Sequence, residues 1–367
     1  MARVTPPRLL YLCFERIRPG GAAATHVTEI CAGLQRRGVK IELLAERGEG
    51  RNGPGAQASR YARLTIRALA ALPRADAVYI RSHFAGWPLA LAARLLGRPV
   101  IHEINGTYAD ALVTHPVYAR AARALGAMQR AQYRLAARLI AVTPDLADWA
   151  RREAGHDRVS FVANAANTDL FRPDGPRAER GRPYAVFFGG LTRWHGVDSM
   201  LAAARHADWP SGVGLVVAGP IVDRSLEPAL RAAPASVAYL GPVPQGELPA
   251  LVRGALAALV PISDPGGRSS KGVLPLKLYE ALACGTPAIV TNLPGQAELV
   301  RSGECGVVVP VDDPGALAAA VAALAGDPER ARQLGAAGAA LVAAEHSWDA
   351  RAAETARILD EVIRASR

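Results

Sequence analysis

Residues 274–291 read LPLKLYEALACGTPAIVT, and the carboxylate among them, Glu280, is the first candidate for chemistry. Leu276, Leu278, Leu282 and Ala283 spread around a helix here and leave no wide polar face. A carboxylate withdrawn from water without compensation costs several kcal/mol, so Glu280 needs a partner or a ligand. Gly20 and Gly21, in the loop RIRPGGAAA, let the backbone come close to a phosphate or a sugar. In IHEINGTY (101–108), a strand would put His102 and Glu103 on opposite faces. Asn105 can hydrogen-bond a hydroxyl but cannot act as a general base. The chain has no D-x-D sequence and no closely spaced histidine pair, so no divalent metal is expected.

The elements that must position these residues alternate. RLLYLCFE (8–15) reads as a strand, and THVTEICAGLQRRG as a helix with Val27, Ile30, Cys31 and Leu34 on one face. VKIELLAE, DAVYIRS, PVIHEIN and RLIAVT are further strands with helical runs between them. A polar stretch, NTDLFRPDGPRAERGRP (167–183), has linker composition. Alternation then resumes with YAVFFGG, GLVVAGP, VAYLGPV, ALAALVPIS, PAIVTN and CGVVVPV. Around Glu280, Pro275 suits the first helical turn, and Gly285 with Pro287 ends the helix. Strand–helix alternation implies α/β architecture with parallel sheets, here in two doubly wound domains with a ligand in a cleft between them. The last segment, capped by Ser347, reads as an amphipathic helix anchored by Ile358, Val362 and Ile363.

At 367 residues the chain exceeds one ordinary core. Half of it is apolar, which argues against disorder. The net charge of +10 admits nucleic acid, anionic lipid or a phosphorylated substrate as partner. No zinc-finger spacing, aromatic-basic platform or long Lys/Arg block supports nucleic acid. Cys13, Cys31, Cys284 and Cys305 form no C-x-x-C pair and fit a reducing compartment. With no span-like apolar stretch and no signal-peptide pattern, a cytoplasmic protein is expected, with contact to the inner membrane face left open. The stretch 117–139 lacks acidic residues and sets Arg123, Arg130, Arg134 and Arg138 near one helical face. Such a helix either lies on anionic lipid or presents a solvated cationic face.

Taken in order, several pieces resemble the family 4 retaining glycosyltransferases of the GT-B fold (glycosyl transferases group 1). They are the PGG loop and its helix, VANAANTDLFRP, FFGGLTRWHGVDSMLAA, VAYLGPVPQGELPALV, the Glu280 segment, CGVVVPVDDPGALAAAVAALAGDPE and HSWDARAAET. The resemblance covers nearly the whole chain. It implies two Rossmann-like domains facing a cleft: residues 1–170 for the acceptor and 171–346 for a nucleotide-sugar donor. The C-terminal helix 347–367 would cross back to the first domain.

By the same resemblance, Glu280 accepts hydrogen bonds from the donor ribose, and Lys277 with the helix start at Leu276 faces the distal phosphate and sugar. GGLTRWHG (189–196) would hold the diphosphate, with Gly190 and His195 standing where the family carries Arg and Lys, and Arg193 as a substitute charge. A second family carboxylate is replaced by Gly272. Gly20, Gly21 and Glu298 would also line the donor site. Glu103 and Asn105 are the catalytic candidates, and His26 and Tyr108 the acceptor candidates.

The implied activity is retaining transfer from a UDP- or GDP-sugar to a saccharide or lipid-linked acceptor. The departing phosphate would take the acceptor's proton, and no cofactor would be required beyond the nucleotide-sugar substrate. Envelope glycan synthesis is the main setting, with natural-product glycosylation a variant. An inactive nucleotide-sugar-binding partner of a transferase and a GT-B sugar-nucleotide epimerase are the alternatives.

Overall fold

Short runs rich in Val, Ile, Leu and Phe form the central strands of each sheet, buried on both faces as parallel sheets covered by helices require, while the edge strands stay partly exposed. The computed structural model describes residues 6–18, 20–48, 53–107 and 120–366. The first sheet contains β1 (Arg8–Leu12), β2 (Lys40–Leu44), β3 (Ala77–Arg81), β4 (Val100–Ile104), β5 (Arg138–Ala141) and β6 (Val159–Phe161). They lie in the order β2-β1-β3-β4-β5-β6, all parallel. The second contains β7 (Tyr184–Phe188), β8 (Gly214–Ala218), β9 (Val237–Gly241), β10 (Ala257–Val260), β11 (Ala288–Thr291) and β12 (Gly306–Val309). Its order is β12-β11-β10-β7-β8-β9, again parallel. Strand order reverses between β1 and β3 in one sheet and between β7 and β10 in the other. Ligands of open α/β sheets gather at the carboxyl ends of strands flanking such a reversal. Of the strands, only β6 escapes the sequence reading, because three residues are too few to show a period.

Two compact units result: residues 1–163 with 349–367, and residues 164–348. The sequence places the boundary at 170/171 and a linker over 167–183, but this stretch packs onto the second unit. Asn164 Nδ2 donates to the Leu274 carbonyl at 2.8 Å, and Phe171 is buried. Arg253 donates to the Arg172 and Pro176 carbonyls at 3.0 and 2.9 Å. A guanidinium from a distant helix thus organises a segment whose composition alone reads as loop.

The helix Leu276–Ala283 closes as its sequence suggests, though Pro275 stands at the N-cap, one position before the first turn. The Gly285 N–H bonds to the Leu282 carbonyl and the Thr286 N–H to that of Ala281, the paired bonds of a Schellman ending. The stretch 117–139 is not one continuous helix in the described residues. Helix Ala122–Leu135 is followed by an extended residue and β5, where Arg138 belongs. Arg130 pairs with Glu153 at 3.6 Å and Arg138 with Glu361 at 3.3 Å, so part of the cationic stripe is neutralised. Residues 117–119 and Tyr108 lie outside the described residues. All four cysteines are free and buried. Among the described residues no helix is long and apolar enough to cross a membrane.

The C-terminal helix Trp348–Ala365 packs on the helix Ala22–Arg36. Asp349 accepts from Arg37 Nη1 and Nη2 at 2.9 and 2.8 Å, but this exposed pair is worth little in water. Close packing matters more: a Cβ added at Gly33 would stand 2.3 Å from the Ala352 Cβ. Gly33→Ala should therefore lower stability by about 1–3 kcal/mol, the usual cost of overpacking. Combining it with Ala352→Gly should recover most of the loss in urea unfolding. An unchanged midpoint for Gly33→Ala would contradict this contact.

Candidate functional site

In unit 2 the residues singled out by sequence converge where β7 and β10 end. After Phe188 the chain turns through Gly189 (φ 113°) and Gly190 into a short turn, Arg193–His195. Gly196, with φ 72°, follows; a Cβ there would lie 1.6 Å from the Pro261 carbonyl oxygen, so only glycine permits this closeness. Ser263 N–H also donates to the Trp194 carbonyl at 2.9 Å, which fastens the loop after β7 to the loop after β10.

Every residue of the helix Leu276–Ala283 is buried except Glu280, which is partly exposed. Lys277 is 7% exposed, and its Nζ has no hydrogen-bond partner. The ammonium lies 3.9 Å from the Phe187 ring centre, a cation–π contact that replaces only part of its hydration. Gly189 leaves room for it, since a Cβ there would meet Lys277 Nζ at 3.4 Å. Burial lowers the Lys277 pKa to about 7, against the opposing pull of Glu280. Burial raises the Glu280 pKa to about 7, with Lys277 opposing. Among the described residues the Glu280 carboxylate enters no hydrogen bond or ion pair. One helical turn separates a buried base and a partly buried acid, both incompletely matched.

His195 Nδ1 donates to the Gly190 carbonyl at 2.6 Å, which leaves Nε2 as the acceptor of the neutral ring. Burial, then the charges of Lys277 and Arg268, hold its pKa well below the ordinary value despite the Gly190 bond. His195 therefore does not supply the cation that stands here in the family. Arg193 is exposed, donates to Ser225 Oγ at 3.2 Å and faces Asp198 and Asp223 at 3.9 and 4.0 Å. Arg268, which sequence reasoning did not single out, lies over the Trp194 ring at 4.3 Å, and that ring stands 3.8 Å from His195. Glu298 is spent on capping: it accepts from the Gly295 N–H at the start of its own helix. The structure thus brings Glu280, Lys277, Leu276, Gly190 and His195 together and turns Arg193 toward surface acids.

Gly20, Gly21, His26, Glu103 and Asn105 belong to unit 1. Gly21 is the N-cap of the helix Ala22–Arg36, which has no side-chain cap. Glu103, 1% exposed, receives four donors. Its Oε2 bonds His26 Nε2 at 2.9 Å and Tyr79 OH at 2.6 Å; Oε1 bonds Arg81 Nη1 and Asn105 Nδ2, both at 2.6 Å. Burial alone would raise its pKa, but His26, Arg81 and Tyr79 outweigh burial and hold it far below the usual carboxylate range. A carboxylate so saturated is a poor base, and its role is to position His26 and Asn105. Tyr79 and Arg81 escape notice in DAVYIRS, where the only signal is an arginine ending an apolar strand. His102, on the other face, is fully buried with neither ring nitrogen bonded, and burial lowers its pKa to about 3. Among the described residues no three His, Cys, Asp or Glu side chains form a metal-ligand set.

Comparison with known proteins matches two family models end to end. The model described as Glycosyltransferase Family 4 covers residues 19–170, and that described as Glycosyl transferases group 1 covers 172–341. A D-inositol 3-phosphate glycosyltransferase of Streptomyces bingchenggensis is 32% identical over 79% of this chain and 66% of its own length. D-inositol 3-phosphate glycosyltransferase 2 of Catenulispora acidiphila is 33% identical over 77% of this chain and 70% of its own. The chain therefore spans about two thirds of the length of these relatives. The Anabaena protein HepE, in complex with UDP-glucose, has the same fold, with TM-score 0.73 at 16% identity over 97% of this chain and 100% of that one.

The buried lysine makes a prediction about the ligand-free protein. Because its folded pKa, about 7, lies below the ordinary 10.5, its penalty is full below pH 7 and disappears as pH rises to the ordinary value. In a Glu280→Gln background, where no carboxylate is left without its partner, Lys277→Met should stabilise the protein at pH 6 by about 1–3 kcal/mol. The gain should shrink in denaturation at pH 9.5. A gain equal at both pH values, or none at pH 6, would contradict the dehydrated ammonium.

Proposed function

We propose that this chain, which belongs to the family 4 glycosyltransferases of the GT-B fold, transfers a sugar from a UDP- or GDP-sugar to a saccharide or lipid-linked acceptor with retention of configuration. Unit 2 takes the donor. The two oxygens of Glu280 accept from the two ribose hydroxyls, and Lys277 with the uncapped helix start at Leu276 meets the diphosphate. The observation that carries this reading is the pair Lys277, buried, and Glu280, partly buried, without hydrogen-bond partners among the described residues at the end of β7. The UDP-glucose complex of the Anabaena fold relative, and the names of the two curated relatives, support it.

In the proposed reaction the bond between the anomeric carbon and the diphosphate oxygen breaks, and the bonding electrons leave with the phosphate. Lys277 stabilises the charge that grows there. The acceptor hydroxyl bonds to the anomeric carbon from the same face, and its proton passes to the departing phosphate oxygen. No protein base is needed, which agrees with the saturation of Glu103. Unit 1 takes the acceptor, with Asn105 and His26, both oriented by Glu103, as its hydrogen-bonding groups.

Charge-assisted hydrogen bonds contribute about 1.5–3 kcal/mol each, so Glu280→Ala should weaken nucleotide-sugar binding about tenfold to a hundredfold. Calorimetric titration across UDP- and GDP-sugars measures this, and unchanged affinity would remove Glu280 from the donor site. With Lys277 and the helix start carrying the diphosphate charge, turnover should persist in EDTA. Loss of activity restored by magnesium would overturn the metal-free form of the mechanism.

A further inference from the structure

We propose that Arg268, laid over the Trp194 ring, is the second cation of the donor site in unit 2 and binds the distal phosphate of the nucleoside diphosphate together with Lys277. The proposal rests on the donor reading above and names a residue that reading leaves unused. Arg268 lies in the turn Pro265–Lys271 after β10, and its guanidinium carbon stands 4.3 Å from the Trp194 ring centre. Rings continue from there to the lysine. Trp194 lies 3.8 Å from His195, His195 6.4 Å from Phe187, and Lys277 Nζ 3.9 Å from Phe187. Two cations thus stand at the two ends of one row of three rings. Burial first, then the charges of Lys277 and Arg268, keep His195 between them neutral.

Ser263 sets the register of this row. Its N–H donates to the Trp194 carbonyl at 2.9 Å, and its carbonyl accepts from Ser269 Oγ at 3.0 Å. Ser269, next to Arg268 and 1% exposed, also gives its N–H to Asp264 Oδ1 at 2.5 Å. The turn takes this shape through Gly266 and Gly267, at φ 64° and 75°, where a side chain would strain the backbone. One serine therefore fixes both the indole and the segment that lays a guanidinium on it. Stacking removes rotamer freedom from the arginine before a ligand arrives, so less is lost on binding.

A guanidinium laid on a ring uses its face and keeps the N–H donors at its rim, which can hold two phosphate oxygens at once. Lys277 offers a single point charge, whereas a distal phosphate gains charge as the sugar departs. Gly190 and the neutral His195 bring none. Arg193, although adjacent to Trp194, faces Asp198 and Asp223 at 3.9 and 4.0 Å. The second charge thus comes from the loop after β10, and Trp194 is the positioning residue that holds it against the loop after β7.

Calorimetric titration of the full chain with UDP and UMP, and with GDP and GMP, tests the proposal. The unaltered chain should bind the diphosphate of its preferred base more tightly than the monophosphate. Arg268→Gln should weaken the diphosphate about tenfold and the monophosphate less than about twofold, at an unchanged circular dichroism melt. Arg268→Lys should restore only part of the loss, and Trp194→Leu should reproduce it. Equal weakening of both nucleotides by Arg268→Gln, or none, would overturn the proposal, while a diphosphate preference in the unaltered chain would leave the donor reading standing. A loss found in Arg193→Gln instead would return the role to the loop after β7. Full diphosphate affinity in Trp194→Leu would remove the part given to Trp194. No nucleotide binding by the unaltered chain, or no preference for the diphosphate, would overturn both readings.

Discussion

Two opposite charges one helical turn apart, Lys277 buried and Glu280 partly so, with neither hydrogen-bonded among the described residues, set the constraint on which unit 2 depends. Dehydration moves Lys277 down and Glu280 up until both titrate near 7. Their mutual attraction and the Phe187 ring return only part of what hydration would supply. A hydrophobic pair in the same positions would serve the core better, so the helix Leu276–Ala283 is not built for stability alone. The missing interactions have a definite form: acceptors for an ammonium and donors for a carboxylate. A molecule with anionic oxygens at one end and a pair of hydroxyls further along would supply both, and its binding would draw the lysine toward its protonated state and the carboxylate toward its ionised one.

Unit 1 handles a buried carboxylate in the contrary way. Glu103 is as buried as any core residue, yet four donors satisfy it and its pKa falls. Environment, not residue type, separates the two acids. Glu103 is finished in the absence of ligand and fixes the orientation of His26, Arg81 and Asn105, whereas Glu280 is left unfinished. A frame that is fully satisfied beforehand costs no reorganisation when a ligand arrives, which is how preorganised polar groups are most effective.

The sheets were legible because strands buried on both faces appear as continuous apolar runs, and the Glu280 helix because Pro275 and Gly285 mark its ends. Glu280 itself was legible as a carboxylate in an apolar helix. What could not be read were choices made by long side chains across large sequence distances. By sequence Arg193 and Lys277 can both face a phosphate, and only packing shows Lys277 folded over Phe187 while Arg193 turns to Asp198 and Asp223. The His26–Glu103 bond spans 77 positions, and no local pattern announces it. The stretch 167–183 has the composition of a linker, and its attachment to Arg253 is invisible without the fold.

The winding of the first sheet also separates charge. Strand order β2-β1-β3 makes the first connection run against all later ones, so handedness sends the helix Ala22–Arg36 to one face and the later helices to the other. The C-terminal helix joins the first face and brings Asp349, Glu354, Asp360 and Glu361 with it. Three helices in succession on the other side carry no acid, but the next, Pro144–Ala154, carries three, and the C-terminal helix sets Arg351, Arg357 and Arg364 against its four. A net charge of +10 could have been spread evenly and served only solubility. The topology does gather five of the eight large hydrophobic residues exposed in the described chain on one side of this sheet.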